Sequence, residues 1–406
     1  MKHLIVTLFP LVFCTTLLAY NAEIDGIYYN FSGDEATVIS WPLDGGKTYS
    51  GSIVIPESVV YNEKSYNVTS IGMQAFRGCS GLISVNIPES VTSIGGGAFR
   101  GCSCLNTINM GTNVERIYRD AFIGTPWYDN LPDGMVYVGK VAYKYKGEMP
   151  EGTHYSVKEG ISSISEDAFW GCSGLTSITI PESVTRIEEY TFYECPNLVS
   201  VNLPENMTSI EGYAFFHCST LSFINIPKGV TRIGSHAFSK CSSLASFNIP
   251  EGSRGIEKAA FAGCSNLKTV VIPESVIYIE WFGFSGCTGL SSIVCNAKNP
   301  PSVGQFGFDG VDKQNCKLYV LKGCEEAYRN AEEWQNFNII EMGTGIGEVK
   351  SEDPLTPFRG NEKCEDAVYD LSGRKVNFQF STFNSQFRKK GLYIQNGKKV
   401  VKMYEG

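Results

Sequence analysis

Histidine is almost absent from this chain, with four in 406 residues. Setting aside His3 in the N-terminal leader leaves His154, His217 and His236, none in the H-E-x-x-H spacing of a zinc pair. No G-x-S-x-G elbow and no phosphate-binding glycine loop occurs either, which removes the usual marks of nucleophilic and nucleotide chemistry. Basic charge is also short: Lys and Arg total 34 against 42 Asp and Glu, a net charge of -8. A nucleic-acid partner, which needs a basic stripe, is therefore excluded. After residue 22 no segment approaches the ~18 consecutive apolar residues of a membrane helix, so no membrane span is expected once the leader is removed. The paired carboxylates, Glu188-Glu189 and Glu325-Glu326, fall on predicted solvent faces with no cleft to raise a pKa. No catalytic residue, metal site or cofactor is expected.

What the chain has in abundance is itself, repeated. Phe169, Phe192, Phe215, Phe238, Phe261 and Phe284 stand 23 positions apart, each followed three residues on by Cys and six on by Leu. Pro181, Pro204, Pro227, Pro250 and Pro273 follow the first five at twelve. A period of 23 lies in the range of about 20–29 residues that marks a leucine-rich solenoid. In "LTSITIP", Leu175, Ile178 and Ile180 point one way while Ser177 and Thr179 point the other, as alternation along a strand requires. Proline then ends the strand. The return half, "ESVTRIEEYTFYEC", folds Val184, Ile187 and Phe192 inward. One such rung buries too little to stand alone, whereas stacked rungs share a continuous core. The predicted fold is a leucine-rich-repeat solenoid of 23-residue rungs with a parallel β ladder on one face, capped at both ends and followed by a small C-terminal β module.

Units such as "GCSGLTSITIPESVTRIEEYTF" resemble the BspA-like class of bacterial leucine-rich repeats over about residues 50 to 340. That resemblance implies surface presentation and, in some relatives, adhesion to host matrix proteins or other cells. Fold alone does not give function.

Taken in order, residues 1–22 read as a secretory signal: Lys2, then "LIVTLFPLVFCTTLLA", then small residues at Ala19 and Ala22. Residues 23–68 read as an N-terminal cap, with strands in "GIYYNF" and "ATVISW" and an inserted hairpin before Ile71. The solenoid proper runs over 69–294. Its register slips between Phe122 and Phe169, which lie 47 apart, two periods plus one. The insertion at 123–150 carries a hairpin around Gly139-Lys140, preceded by a loop-like "TPWYDNLPDG". There Trp127 and Tyr128 either pack on the spine or form a protruding recognition element. Residues 295–342 read as the C-terminal cap, with an amphipathic helix in "GCEEAYRNAEEWQNF"; 343–365 read as a polar linker, and 366–406 as short strands with Ser-Gly and Asn-Gly turns. In that tail Tyr369, Leu371, Gly373, Val376, Lys390, Gly391 and Tyr393 resemble the C-terminal sorting domains of the type IX secretion route, which implies an address or attachment module.

Cysteine is plentiful at 14, and in an exported protein that usually means disulfides. The repeat geometry argues otherwise. Residues on successive rungs have parallel Cβ vectors about 4.8 Å apart, where a bridge wants about 3.5–4.5 Å and convergent bonds. The column is expected to be unbridged thiols packed as small hydrophobes, while a bridge among Cys295, Cys316 and Cys324 stays open. The remaining large feature is the outward strand face. Its row passes through Ser84/Asn86, Thr107/Asn109, Ser177/Thr179, Ser200/Asn202, Phe223/Asn225, Ser246/Asn248, Thr269/Val271 and Ser292/Val294. It reads either as plain strand surface or as a recognition wall for an extracellular protein or glycan, anchored by Phe223 because aromatics dominate interface energetics. The resulting expectation is a secreted or outer-surface, non-catalytic binding protein. A structural envelope spacer is the alternative, and an enzyme acting on carbohydrate or peptide beside the insertion is the most remote reading.

Overall fold

The structure is a computed structural model that describes residues 22–40 and 48–342, and four short strands between 368 and 402. The leader and the linker lie outside the described residues, Ala22 apart.

From residue 48 to 341 the chain is a β-solenoid of mainly parallel strands. Most rungs give one short strand to each of two rows. The first row contains 82–87 beside 107–110, then 175–179 beside 200–202, then 246–248, 269–272, 292–295, 317–320 and 338–341. The second row is built from two-residue strands at the "R-I" positions, such as 186–187, 209–210 and 232–233. Pairing is parallel and in register from rung to rung, for example Ser177 with Ser200 and Ile178 with Val201.

The phenylalanine column supplies the core. Phe169, Phe192, Phe215, Phe238, Phe261 and Phe284 are all buried. Their rings lie near-parallel with centroids 5.2 to 5.8 Å apart. This is the offset stacking that the ring quadrupole favours. Val184, Ile187 and the Leu column are buried alongside them.

Six of the eight column thiols also do more than fill space. The Cys102 Sγ donates to the Phe76 carbonyl at 2.9 Å, and Cys195, Cys218, Cys241, Cys264 and Cys287 repeat the contact 26 residues back at 3.1–3.2 Å. The thiol thus satisfies a backbone acceptor inside the turn, tying each rung to the one before. All twelve described cysteines are free, Cys295, Cys316 and Cys324 among them.

The register slip is absorbed by tyrosine. The hairpin is present as antiparallel strands Gly134–Val138 and Val141–Lys146, and Val141 and Ala142 then pair in parallel with Ser163 and Ile164. Between Phe122 and Phe169 the column is filled edge-on by Tyr143, 5.3 Å from Phe122, and Tyr155, 5.5 Å from Phe169.

Two sequence expectations need correction here. "TPWYDN" is not loop: Pro126–Asp129 form one helical turn, with the Thr125 hydroxyl accepting from the Tyr128 amide. Thr125 before Pro126 is a capping residue followed by a first-turn proline, a signal the loop reading overlooked. The helix expected in "GCEEAYRNAEEWQNF" shrinks to Glu325–Arg329 and a 3-10 turn at Trp334–Asn336. Glu333 between them adopts φ +68, which breaks any longer helix. That break lets Trp334 close the core, edge-on to Phe308 at 5.2 Å with its Nε1 donating to the Pro301 carbonyl at 2.7 Å.

The N-terminal end is covered by antiparallel strands Ala22–Ile24, Ile27–Ser32 and Glu35–Ile39, and by a hairpin of Ser58–Tyr61 with Lys64–Ile71. The tail forms a separate unit of four short antiparallel strands, Val368–Tyr369, Lys375–Val376, Tyr393–Asn396 and Lys399–Lys402.

Candidate binding surfaces

The strand face presents most of the residues anticipated for it. Thr179, Ser200, Asn202, Phe223, Asn225, Ser246 and Asn248 are exposed, and Ser177 and Thr269 half-buried. Register places Thr179 beside Asn202, Ser246 beside Thr269 and Asn248 beside Val271. His154 joins the row, its Nδ1 2.6 Å from the Ser177 hydroxyl.

Two details differ from the expected wall. Ser292 is buried rather than outward, in register between Thr269 and Lys317 on the adjoining strands. The ladder is also not continuous: 221–226 forms no strand, so the row breaks between 200–202 and 246–248. Phe223 sits in that break with 63% of its surface exposed.

The insertion packs on the spine. Tyr128 is buried, edge-on to Tyr143 at 5.9 Å, and half-buried Trp127 lies 4.8 Å from Phe122. The reading of these two side chains as a protruding recognition element is therefore corrected: the helical turn aims them at the core.

Sequence reasoning missed a second surface, on the turns around the core phenylalanines. Trp170, Tyr190, Tyr193, Tyr213, Phe216 and His236 form one contiguous cluster over four rungs. Tyr190 and Tyr213 stack at 5.0 Å, Tyr213 and His236 at 4.5 Å, Tyr193 and Phe216 at 4.7 Å. Parallel rings this close cover one another's faces and leave edges to solvent. The end faces are taken by the protein's own cations: Arg119 lies 5.1 Å over Trp170 and 5.3 Å over Tyr190, and Lys240 5.1 Å over Phe216. The aromatic doublets flanking the core ring in "YTFYEC" and "YAFFHC" were the available signal.

Beside the rings runs a charged lattice. Buried Glu211 bridges Arg186 at 2.7 Å and Arg232, and buried Asp167 lies 2.7 Å from the Arg119 Nε. Burial pushes the Asp167 carboxyl above its ordinary range, although Lys144 and Arg119 oppose it. Burial likewise raises Glu188, against the pull of Arg186 and Arg116, and Glu166. Asp167, Glu188 and Glu211 are members of structural ion pairs.

Burial also pushes the Cys102, Cys172, Cys218 and Cys287 thiols up to about 12. Such thiols are protonated and poorly nucleophilic. No group of three or more His, Cys, Asp or Glu that could hold a metal occurs among the described residues, and none of their helices is long and apolar enough to cross a membrane.

The chain matches the family described as the BspA type leucine rich repeat region in six copies, over residues 56–145, 136–268 and 254–349. Among solved structures it is similar to a leucine-rich repeat protein from Bacteroides ovatus, at 24% identity and TM-score 0.33 over 80% of this chain and 100% of that one. A leucine rich cell surface protein from Faecalibacterium prausnitzii shares 25% identity at TM-score 0.32 over 80% of this chain and 95% of that one. The pneumococcal vaccine antigen PcpA shares 14% identity at TM-score 0.40 over 79% of this chain and 98% of that one. The search of curated proteins returned no match.

Proposed function

Given that the chain belongs to the BspA-type leucine-rich-repeat family, we propose that it is a non-catalytic binding protein, exported and displayed at or released from the cell surface. It engages an extracellular protein or glycan through its strand face. The observation that carries this reading is the uncharged row of Thr179, Ser200, Asn202, Asn225, Ser246 and Asn248 around an exposed Phe223. A large aromatic ringed by small hydrogen-bonding side chains has the make-up of an interface hot spot. Ser177, Thr269 and His154 extend the same row, and adhesion, the adhesin-like role common among BspA-like proteins, is the activity such a surface serves. The leader at 1–22 provides the export route, and the tail at 366–406 is the sorting or attachment module.

The test is an array of extracellular-matrix proteins and glycans probed with the wild-type chain and with Phe223→Arg. At least one ligand should bind, with a tenfold or greater loss in the variant and no loss on substituting exposed Val60, which lies on the N-terminal hairpin. A blank array, or binding indifferent to Phe223, refutes the assignment.

A further inference from the structure

The turn face carries a pattern the core does not require. The position two residues after each core phenylalanine takes a left-handed backbone conformation. It is glycine at Gly78, Gly101, Gly124, Gly171, Gly263, Gly286 and Gly310, with φ from +68 to +78. On three successive rungs it is instead Glu194, His217 and Lys240, with φ +55, +60 and +61. Non-glycine residues are strained there. Left-handed non-glycine residues also stand two positions before the core phenylalanine on most rungs, from Gln74 to Phe306. What marks this patch is therefore the loss of glycine from the second column on three adjoining rungs, a local departure that is a reason to look for a function there. These are also rungs on which the ring cluster sits, Trp170 exposed and the other five rings half-buried.

The order of charges is the second observation. The column reads acid, neutral, base: Glu194, His217, Lys240. The column on the other flank, three residues before each core phenylalanine, reads Glu166, Glu189, Gly212, Ser235, Lys258, again acid to base. Glu189, Glu194, Lys240 and Lys258 are all exposed, and none forms an ion pair among the described residues.

We propose that the turn face between residues 166 and 258 is the interface of a homodimer, two copies packed face to face with their spines antiparallel about a two-fold axis through the His217 rung. A two-fold interface must complement itself, and this one does so in that orientation alone. Reversing the second spine sets Glu194 against Lys240 of the other copy and Glu166 against Lys258. It also brings Tyr213 to Tyr213 and Phe216 to Phe216. A parallel arrangement would set Glu194 against Glu189 and is repelled. A sugar ligand is the less suitable occupant, because stacking on a pyranose needs open ring faces and these are already covered. Tyrosine edges with hydroxyls suit a protein surface. The five rungs from Glu166 to Lys258, at about 4.8 Å each, span only about 19 Å, short of the extent over which a standard interface buries roughly 800 Å² per partner. The dimer is accordingly weak, forming in the micromolar range or above.

This inference is independent of the strand face, and ligand binding there is not its readout. Sedimentation velocity of the full chain over a concentration series should show a monomer–dimer equilibrium. Glu166→Lys with Glu194→Lys, and separately Lys240→Glu with Lys258→Glu, should each shift dissociation tenfold or more toward monomer. An equimolar mixture of the two variants should restore association, since each then meets its complement. Circular dichroism checks that both variants are folded, and recovery on mixing is itself a signal that misfolded chains would not give. A wild-type chain monomeric at all accessible concentrations overturns the proposal. So does a dimer indifferent to both variants, or a pair of folded variants that fails to associate on mixing.

Discussion

The left-handed column makes a quantitative prediction about strain that is separate from association. A non-glycine residue in this region costs roughly 1–2 kcal/mol, and glycine gives back about 0.4–1 kcal/mol through the greater freedom of the unfolded chain. Replacing Glu194 by glycine should therefore stabilise the monomer by about 0.5–1 kcal/mol. Lys240→Gly should gain less, because it also removes the cation over Phe216, a contact worth about 0.5–1 kcal/mol at exposed sites. His217→Gly falls between them, since its ring meets Phe216 edge-on at 6.3 Å. The control runs the other way. A Cβ built on Gly171 meets no atom within 4 Å, so the whole cost of Gly171→Ala is backbone, about 1 kcal/mol of destabilisation. Urea unfolding at a protein concentration below dimer formation reads all four. If Glu194→Gly lowers the midpoint, or Gly171→Ala leaves it unchanged, the column is not strained and its residues need no functional explanation.

Three further outcomes follow from the core and the turns. Phe215→Ala removes a fully buried ring stacked at 5.2 Å on both sides and should cost about 3–5 kcal/mol, read as a fall in the unfolding midpoint. Thiol labelling mapped by mass spectrometry should modify exposed Cys104 first and Cys324 next, with the ten buried cysteines reacting only on unfolding; rapid labelling of any column cysteine would contradict the protonated, hydrogen-bonded state described above. His236 is held below the ordinary imidazole range by burial and then by Lys258. Its neutral form is thus favoured on folding, and the stability it contributes above the unfolded pKa of about 6.5 is lost as pH falls through the lower folded value. The midpoint should drop more between about pH 7.5 and about pH 5.5 in the wild type than in His236→Gln.

The buried half of this protein was legible because repetition is itself a measurement: a residue type recurring at 23-residue spacing on ten-odd rungs is subject to the same packing each time. Phe, Cys, Leu and Ile were read correctly on that basis, as were the inserted hairpins. What escaped was whatever departs from the repeat. The thiol-to-carbonyl contact needs the turn geometry, which spacing alone does not give. Tyr143 and Tyr155 substitute for column phenylalanines from outside the period. The turn-face rings alternate with core positions only one and two residues away, so they read as part of the core motif until the backbone showed which side they face. The alternating Ser, Thr and Asn of the strands drew attention to the opposite surface, although it carries no charge pattern and no strained backbone.

The two surfaces meet on one rung. Residues 215–226 carry His217 in the left-handed column and, a few residues on, the interruption of the strand ladder. Among the described residues the only backbone hydrogen bond made by 222–226 runs from the Ala245 amide to the Ser222 carbonyl at 3.2 Å. Neighbouring rungs keep their parallel pairing, as between Ser246–Asn248 and Thr269–Val271. With each lost ladder bond worth about 1 kcal/mol net, the 222–226 segment is held mainly by Ile224 in the core, next to buried Leu221, rather than by its backbone. A segment tethered on one side only can shift its exposed residues without breaking the stack, and Phe223 rides on that segment. Hydrogen exchange reads this directly. Amides of 223–226 should exchange near the free-peptide rate while Phe247 and Val270, buried and paired on the next rungs, stay protected. Equal protection across these rungs would mean that the ladder is continuous in solution, and Phe223 would then be no more adaptable than any other strand residue.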